Sequence, residues 1–261
     1  MRFLTFISCL FPFFILSQNG PHPNAHAHND YQHKSPLQDA LDNGFTSIEA
    51  DIHLIKGELY VAHIKPWFNR KSKTLTSLYL DPLLKRVQTN DGRVYPNFES
   101  EFLLMIDIKG KGEEVYQVLK KQLEDYRSIL TAYEDGKQQK AVTIFLSGDR
   151  PISMVKADKK RLVAIDGRPE DIGRGISPAL MPVISDNYKN HLKWRGKGVI
   201  SEDEWKYLRK LVDDVHKEGK RLRLWASPDH PNAWEILYKA GVDLINTDDL
   251  EGLNQFLSRQ K

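Results

Sequence analysis

The chain has 261 residues, 40% of them hydrophobic and 28% charged, with a formal net charge of +3. It is too apolar for a disordered chain, and its scattered basic residues leave no nucleic-acid footprint. A single (β/α)8 barrel takes about 250 residues, so one large domain of that kind fits without insertions.

The chain opens with Arg2, then an uncharged apolar run over residues 3–16, then small polar residues. This is the layout of a secretory signal peptide, and the run is too short to span a bilayer comfortably. Residues 1–18 are therefore expected to be a removable leader. The mature chain, 19–261, is expected to be secreted or periplasmic, with no stable membrane insertion. Cys9 is the one cysteine and leaves with the leader, so the core alone must stabilise what remains. A buried N-terminal helix is the weaker alternative, because Pro12 and the surrounding phenylalanines make a poor helix start.

Beyond the leader, short apolar runs alternate with helical patterns. Strands are expected at 24–28, 47–54, 103–109, 141–147, 161–166, 180–185, 221–226 and 242–247, with a hairpin-like extension at 58–63. Ser35-Pro36-Leu37-Gln38 resembles a capping box with proline at the first helical position, and Gly44 closes that segment. A helix is expected over 113–133, a second capping box at Ser201-Glu202-Asp203-Glu204, and further helices over 231–238 and 249–257. Residues 64–101 read as a long loop covering one end of the fold. Eight strands alternating with helices predict an α/β TIM (β/α)8 barrel in a single domain. A doubly wound open sheet is the alternative, but no Gly-rich dinucleotide loop follows the first strand.

In such a barrel, function belongs to the carboxyl ends of the strands. The first ends in His26-Ala27-His28-Asn29-Asp30, the second in Glu49-Ala50-Asp51, its extension in His63, and the third in Asp107-Ile108-Lys109. Residues two apart on a strand share a face, which pairs Glu49 with Asp51 and Asp107 with Lys109. Charges on the inner face of a buried strand are unfavourable unless paired or bound to metal. Three converging carboxylates need a cation, and one hard divalent ion, Mg²⁺ or Ca²⁺, suits their oxygen atoms. Lys109 offers a point charge to a phosphate oxygen. Buried salt bridges at the barrel rim would explain any one of these residues. The four together, beside histidines at neighbouring strand ends, point to a site. Imidazole side chains ordinarily change charge near neutrality, which makes histidines at these strand ends suited to proton transfer to and from a phosphodiester; His28 and His63 are the candidates. His26 either supports His28 or points into the core, and His53 lies beyond the site. Arg168 reaches either a substrate headgroup or only solvent from a turn. Asn246-Thr247-Asp248 is expected to cap the last helix.

At these residues the sequence resembles the PI-PLC-like phosphodiesterase superfamily, which includes glycerophosphodiester phosphodiesterases and sphingomyelinase D enzymes. The shared pattern is a histidine ending strand one, E-x-D on strand two, a second histidine fourteen residues beyond that glutamate, and D-x-K on strand three. His28, Glu49-Ala50-Asp51, His63 and Asp107-Ile108-Lys109 follow it. HAHNDY, SIEADIHL, LYVAH, TLTSLYLDPLL, LLMIDIKG, RLRLWASPDHP and AGVDLINTDDL resemble more closely the altered inheritance of mitochondria protein 6 family and its bacterial relatives. The resemblance implies a metal held by Glu49, Asp51 and Asp107, with His28 and His63 as general base and acid. It further implies a phosphate contact from Lys109, a pocket wall from Trp225, and metal or substrate contact from Asn29. The implied ligand is a phosphodiester small molecule or lipid headgroup. Glycerophosphodiesterases carry His-Arg-Gly and His-Asp where this chain has His28-Asn29-Asp30 and His63-Ile64. A non-catalytic binder of phosphorylated ligands and a barrel metalloenzyme of another substrate class remain open as alternatives.

Overall fold

The structure is a computed structural model that describes residues 20–67, 73–96 and 98–260. The expected leader, with Cys9, lies outside the described residues. The strands are β1 (His22–Ala27), β2 (Phe45–Ile55), β3 (Glu58–Val61), β4 (Phe102–Ile108), β5 (Ala132–Tyr133), β6 (Lys137–Gln138), β7 (Val142–Gly148), β8 (Val163–Gly167), β9 (Val183–Asn187), β10 (Arg221–Trp225) and β11 (Leu244–Thr247). One sheet runs β1-β11-β10-β9-β8-β7-β4-β2-β3, and a further parallel pairing of β1 with β2 closes it. Only β3 lies antiparallel to its partner in that sheet, folding back on β2, so eight parallel strands make the barrel. The expected TIM barrel is the fold observed.

Helices α1 (Gln38–Asp42), α2 (Asp81–Thr89), α3 (Gly112–Glu124), α4 (Ile152–Ala157), α5 (Tyr188–His191), α6 (Glu202–His216), α7 (Pro231–Ala240) and α8 (Leu250–Ser258) pack outside the barrel. The period of two along each strand separates two cores. Ile48, Ala50 and Ile52 of β2, and Leu104, Ile106 and Ile108 of β4, belong to the large cluster shared with the helices. Leu103, Met105, Phe145, Ala164, Val183 and Leu244 form a second cluster inside the barrel. The same parity carries Glu49, Asp51 and Asp107 inward, and Asp51 is in register with Asp107 on the neighbouring strand.

Several local expectations are corrected. Helix α1 begins after Leu37, which has φ 64° and receives no side-chain cap; the buried Asp30 carboxylate accepts the Leu37 N–H instead, at 2.6 Å. The tertiary contact with the loop after β1 therefore replaces the expected Ser35 cap. The expected helix over 113–133 ends at Glu124. The chain then pairs Leu130 with Val142 and turns through the β5–β6 hairpin, which puts Tyr133 into the interior cluster. The supposed loop over 64–101 contains α2, whose Leu83 and Val87 are buried at helical spacing behind Pro82. At Ser201 half of the capping box forms. Its Oγ accepts the Glu204 N–H at 3.3 Å, while the Glu204 carboxylate takes the Lys193 and Trp194 N–H groups.

Candidate active site

His28, Asn29, Glu49, His63, Asp107, Lys109 and Trp225 line one cavity of about 260 Å³ together with Ser147, Gly148, Arg168 and Arg223. Asp51 lies beneath them, fully buried. The strand ends of β1, β2, β4, β8 and β10, with the hairpin strand β3, thus deliver to one place the side chains singled out in the sequence. His26 goes to the core: it is fully buried, with Nδ1 2.7 Å from Ser47 Oγ and Nε2 3.5 Å from Glu49 Oε2. Burial, and next the Arg223 charge, hold its pKa down at about 3, so it is neutral. His53 stays outside the cavity, its Nε2 3.4 Å from the His63 carbonyl oxygen.

Within the acidic group, each carboxylate has a different neighbourhood. Glu49 is buried, which raises its pKa, but the Arg223 guanidinium at 2.5 Å together with His26 and His28 outweighs this and holds it near 2. Asp51 Oδ2 receives three groups: the Tyr31 hydroxyl at 2.7 Å, His63 Nδ1 at 2.9 Å and Lys109 Nζ at 2.9 Å. Its other oxygen, Oδ1, is buried and has no hydrogen-bond partner. Asp107 is pushed up to about 6 by burial, against the pull of Lys109 at 3.4 Å and with the Glu49 and Asp51 charges adding to the rise. Oxygens of Glu49, Asp51 and Asp107 lie within 4.8 Å of one another. An unpartnered buried carboxylate oxygen and an acid whose pKa burial raises are both relieved by a hard cation, so the donor set fits a divalent metal ion. Gly148 makes room beside this group. It has φ 69°, and a Cβ there would stand 2.2 Å from Asp107 Oδ1.

The histidines are held through their Nδ1 atoms. His28 Nδ1 is 2.8 Å from Asp248 Oδ1, and Asn29 Nδ2 lies against the ring, 3.1 Å from Nε2 and 3.4 Å from Nδ1. Burial lowers the His28 pKa, but the Asp248 hydrogen bond and the Glu49 and Asp248 charges raise it more, so the net shift is upward. Because Asp51 Oδ2 only accepts, His63 donates to it from Nδ1, which leaves Nε2 outside that contact; the His63 side chain is 60% exposed. Asn29, at φ 47°, also has Oδ1 2.7 Å from the Tyr31 hydroxyl. Trp225 is 37% exposed, as a pocket wall requires.

Sequence reasoning missed Arg223, Asp248 and Tyr31. Arg223 carried a readable signal, since it alternates with Trp225 on the inward face of a buried strand and so needs an acidic partner. Asp248 was assigned to a helix cap. In the structure Asp249 caps α8, accepting the Gly252 N–H at 2.9 Å, while Asn246 binds Arg223 and Thr247 bonds Asp229. Asp248 is thereby released toward His28. The Tyr31 contact depends on the turn after β1, which no periodicity encodes.

A family model for the AIM6-like phosphodiesterase domain matches residues 18–166, more than half of the chain and the stretch that carries His28 through Lys109. The chain belongs to this family. A second model, for the glycerophosphoryl diester phosphodiesterase family, matches residues 221–251, which include Arg223, Trp225 and Asp248. The AIM6-like chain is 27% identical over 255 residues to the altered inheritance of mitochondria protein 6 homolog of Arthroderma benhamiae, covering 86% of this chain and 81% of that protein. It is 28% identical to altered inheritance of mitochondria protein 6 of Eremothecium gossypii, covering 88% of this chain and 68% of the relative. In fold it matches a glycerophosphodiester phosphodiesterase from Agrobacterium tumefaciens with a TM-score of 0.50 and 12% identity, over 92% of this chain and 100% of that one. The AIM6-like domain thus stands in the PI-PLC-like phosphodiesterase superfamily that its motifs resemble.

Proposed function

We propose that this protein is a metal-dependent phosphoric diester hydrolase acting on a phospholipid headgroup or a glycerophosphodiester. The observation that carries the reading is the convergence in one cavity of two differently anchored histidines with a carboxylate trio whose buried Asp51 Oδ1 is unpartnered. A divalent cation, Mg²⁺ or Ca²⁺, held by Glu49, Asp51 and Asp107 would withdraw charge from the phosphoryl oxygens. His28, oriented by Asp248, takes a proton at Nε2 from the attacking oxygen, which is water or a hydroxyl of the substrate itself. As the new O–P bond forms and the ester O–P bond breaks, His63 delivers a proton from Nε2 to the departing oxygen. Attack by a substrate hydroxyl yields a cyclic phosphate, and attack by water yields the monoester. Lys109 contacts a non-bridging oxygen, Trp225 packs on the substrate, and Asn29 fixes the His28 ring. Among the described residues no helix is long and apolar enough to cross a membrane. Export is part of the same proposal and rests on the composition of residues 1–18; the amino-terminal sequence of protein recovered outside the cytoplasm tests it.

The test of the activity is a panel of phosphodiesters, among them glycerophosphocholine, lysophospholipids and a chromogenic diester, with EDTA and then with Mg²⁺ or Ca²⁺ restored. Metal-dependent turnover that disappears in His28→Ala and Asp107→Ala supports the reading. A folded protein that binds cation yet turns over nothing on the panel would favour a non-catalytic binder.

A further inference from the structure

The cavity has two unlike walls. Its acids, Glu49 and Asp107, stand on β2 and β4, with Asp51 behind them. The wall made by β7, β10 and the residue after β8 contributes Ser147, Gly148, Arg168, Trp225 and the Glu49-paired Arg223, and among the described residues lining the cavity no acid stands on that side. β8 lies on the far side of the barrel from β1, so Arg168, which follows β8, and His28, which follows β1, line the cavity from opposite strand ends.

Arg168 is a built feature of that wall. Its Nη1 donates to Asp166 Oδ2 at 2.8 Å and to the Gly167 carbonyl at 2.8 Å, and Nη2 approaches Ser147 Oγ at 3.4 Å. Asp166 is fully buried and also receives Ser147 Oγ at 2.8 Å and Ser185 Oγ at 2.6 Å. The Arg168 N–H is itself pinned by Asp171 at 2.8 Å. An arginine present only to neutralise Asp166 would engage it through both arms of the fork. Here one nitrogen makes the ion pair, and among the described residues Nε has no bond. The oriented fork therefore keeps donors for an acceptor beside it.

We propose that Arg168 is a substrate-binding residue that selects a headgroup bearing acceptor oxygens, such as hydroxyls or a carboxylate, against a quaternary ammonium headgroup. The inference rests on the phosphodiesterase reading for the substrate's phosphate, which the trio and Lys109 would hold, leaving the headgroup on the Arg168–Trp225 wall. A cationic headgroup there meets a guanidinium and no unpaired acid. A polyol or carboxylate meets a pre-oriented donor fork.

The test separates binding from turnover. On the His28→Ala background with Ca²⁺ present, calorimetry measures the affinity of glycerophosphoinositol and of glycerophosphocholine. The inositol compound is expected to bind at least about tenfold tighter, as hydrogen bonds to a charged group allow. Arg168→Gln removes that margin, and Arg168→Lys, which keeps the charge beside Asp166 but not the planar fork, removes most of it. Glycerophosphocholine affinity stays within about twofold in all three, and the unfolding midpoint of Arg168→Lys stays within about 2 °C. Equal affinities without the Arg168 substitution, a margin that survives Arg168→Gln, or no binding of either compound overturns the inference. Wild-type turnover of the same compounds is read separately: an Arg168-dependent binding margin without turnover sinks the hydrolase reading and leaves this one standing.

Discussion

At the amino-terminal end of the barrel, Glu101 is 7% exposed and its carboxylate is fully engaged, by Lys137 at 2.8 Å, Thr143 Oγ1 at 3.1 Å and Arg221 at 3.3 Å. At the carboxyl end, Asp51 is equally enclosed and crowded by donors on one oxygen, yet its other oxygen has none. Both ends bury acids beside cations inside one closed sheet. The difference lies in whether every acceptor has a partner. A satisfied buried network rigidifies a fold, whereas an unsatisfied acceptor is tolerated where a ligand completes it. The lower end therefore reads as structure and the upper end as chemistry, and the contrast can be attacked from both sides.

The largest expected effect is at the upper end. Asp51→Asn should lower metal-dependent kcat by about 10³ or more, because it removes a proposed cation ligand and the anchor of His63 together. It should leave the unfolding midpoint in EDTA within a few degrees. Added Mg²⁺ or Ca²⁺ should raise that midpoint in the wild type and not in the variant, which calorimetry reads directly. Equal midpoint shifts in both would break the comparison.

Next comes the lower end. Glu101→Leu strips Lys137 and Arg221 of their shared acceptor, and denaturant titration should show a loss of about 3 kcal/mol. That is the low end for a broken buried pair, since both cations are about a third exposed. Specific activity of the folded fraction should be unchanged.

A smaller effect concerns Asp30, which clamps Leu37 and the Tyr79 hydroxyl beside the site. Burial raises its pKa from 3.8 to about 6, against the pull of those two hydrogen bonds. Between those values the folded chain holds a proton that the unfolded chain has released. Its contribution is therefore greatest below about pH 4 and is lost as pH rises to about 6, by something on the order of 3 kcal/mol. Asp30→Asn should flatten stability against pH across that interval; an unchanged slope would assign it elsewhere.

The smallest effect is at Asp248, whose side chain is 72% exposed. It raises the His28 pKa, so a base in that position is protonated up to a higher pH. Asp248→Asn should shift the acidic limb of the kcat/KM profile to lower pH and reduce the plateau by less than about tenfold. A limb that stays in place would show that His28 is not the group titrating.

The strands, their order and their inward parity were legible in the chain, because a strand buried on both faces reads as a short apolar run and period two fixes which residues share a face. That is why Glu49, Asp51, Asp107, Lys109 and His28 could be grouped before any coordinates. His63 could be grouped with them through its hairpin and its spacing from Glu49. Local signals failed where a distant partner replaced a local one. Asp30 caps α1 in place of Ser35, Asp249 takes the capping role expected of the residues before it, and pairing with β7 ends α3 early.

The sequence by itself thus determined the barrel and the side chains that point into it, since composition, alternation and strand-end chemistry are properties of neighbours in the chain. Tertiary structure alone decided which acids are satisfied: that Arg223 takes Glu49, that Asp248 takes His28, that Asp166 orients Arg168, and that Asp51 keeps one bare oxygen. Those are outcomes of barrel closure and stagger, which bring residues from remote strands within hydrogen-bond distance, and no local pattern of residues records them.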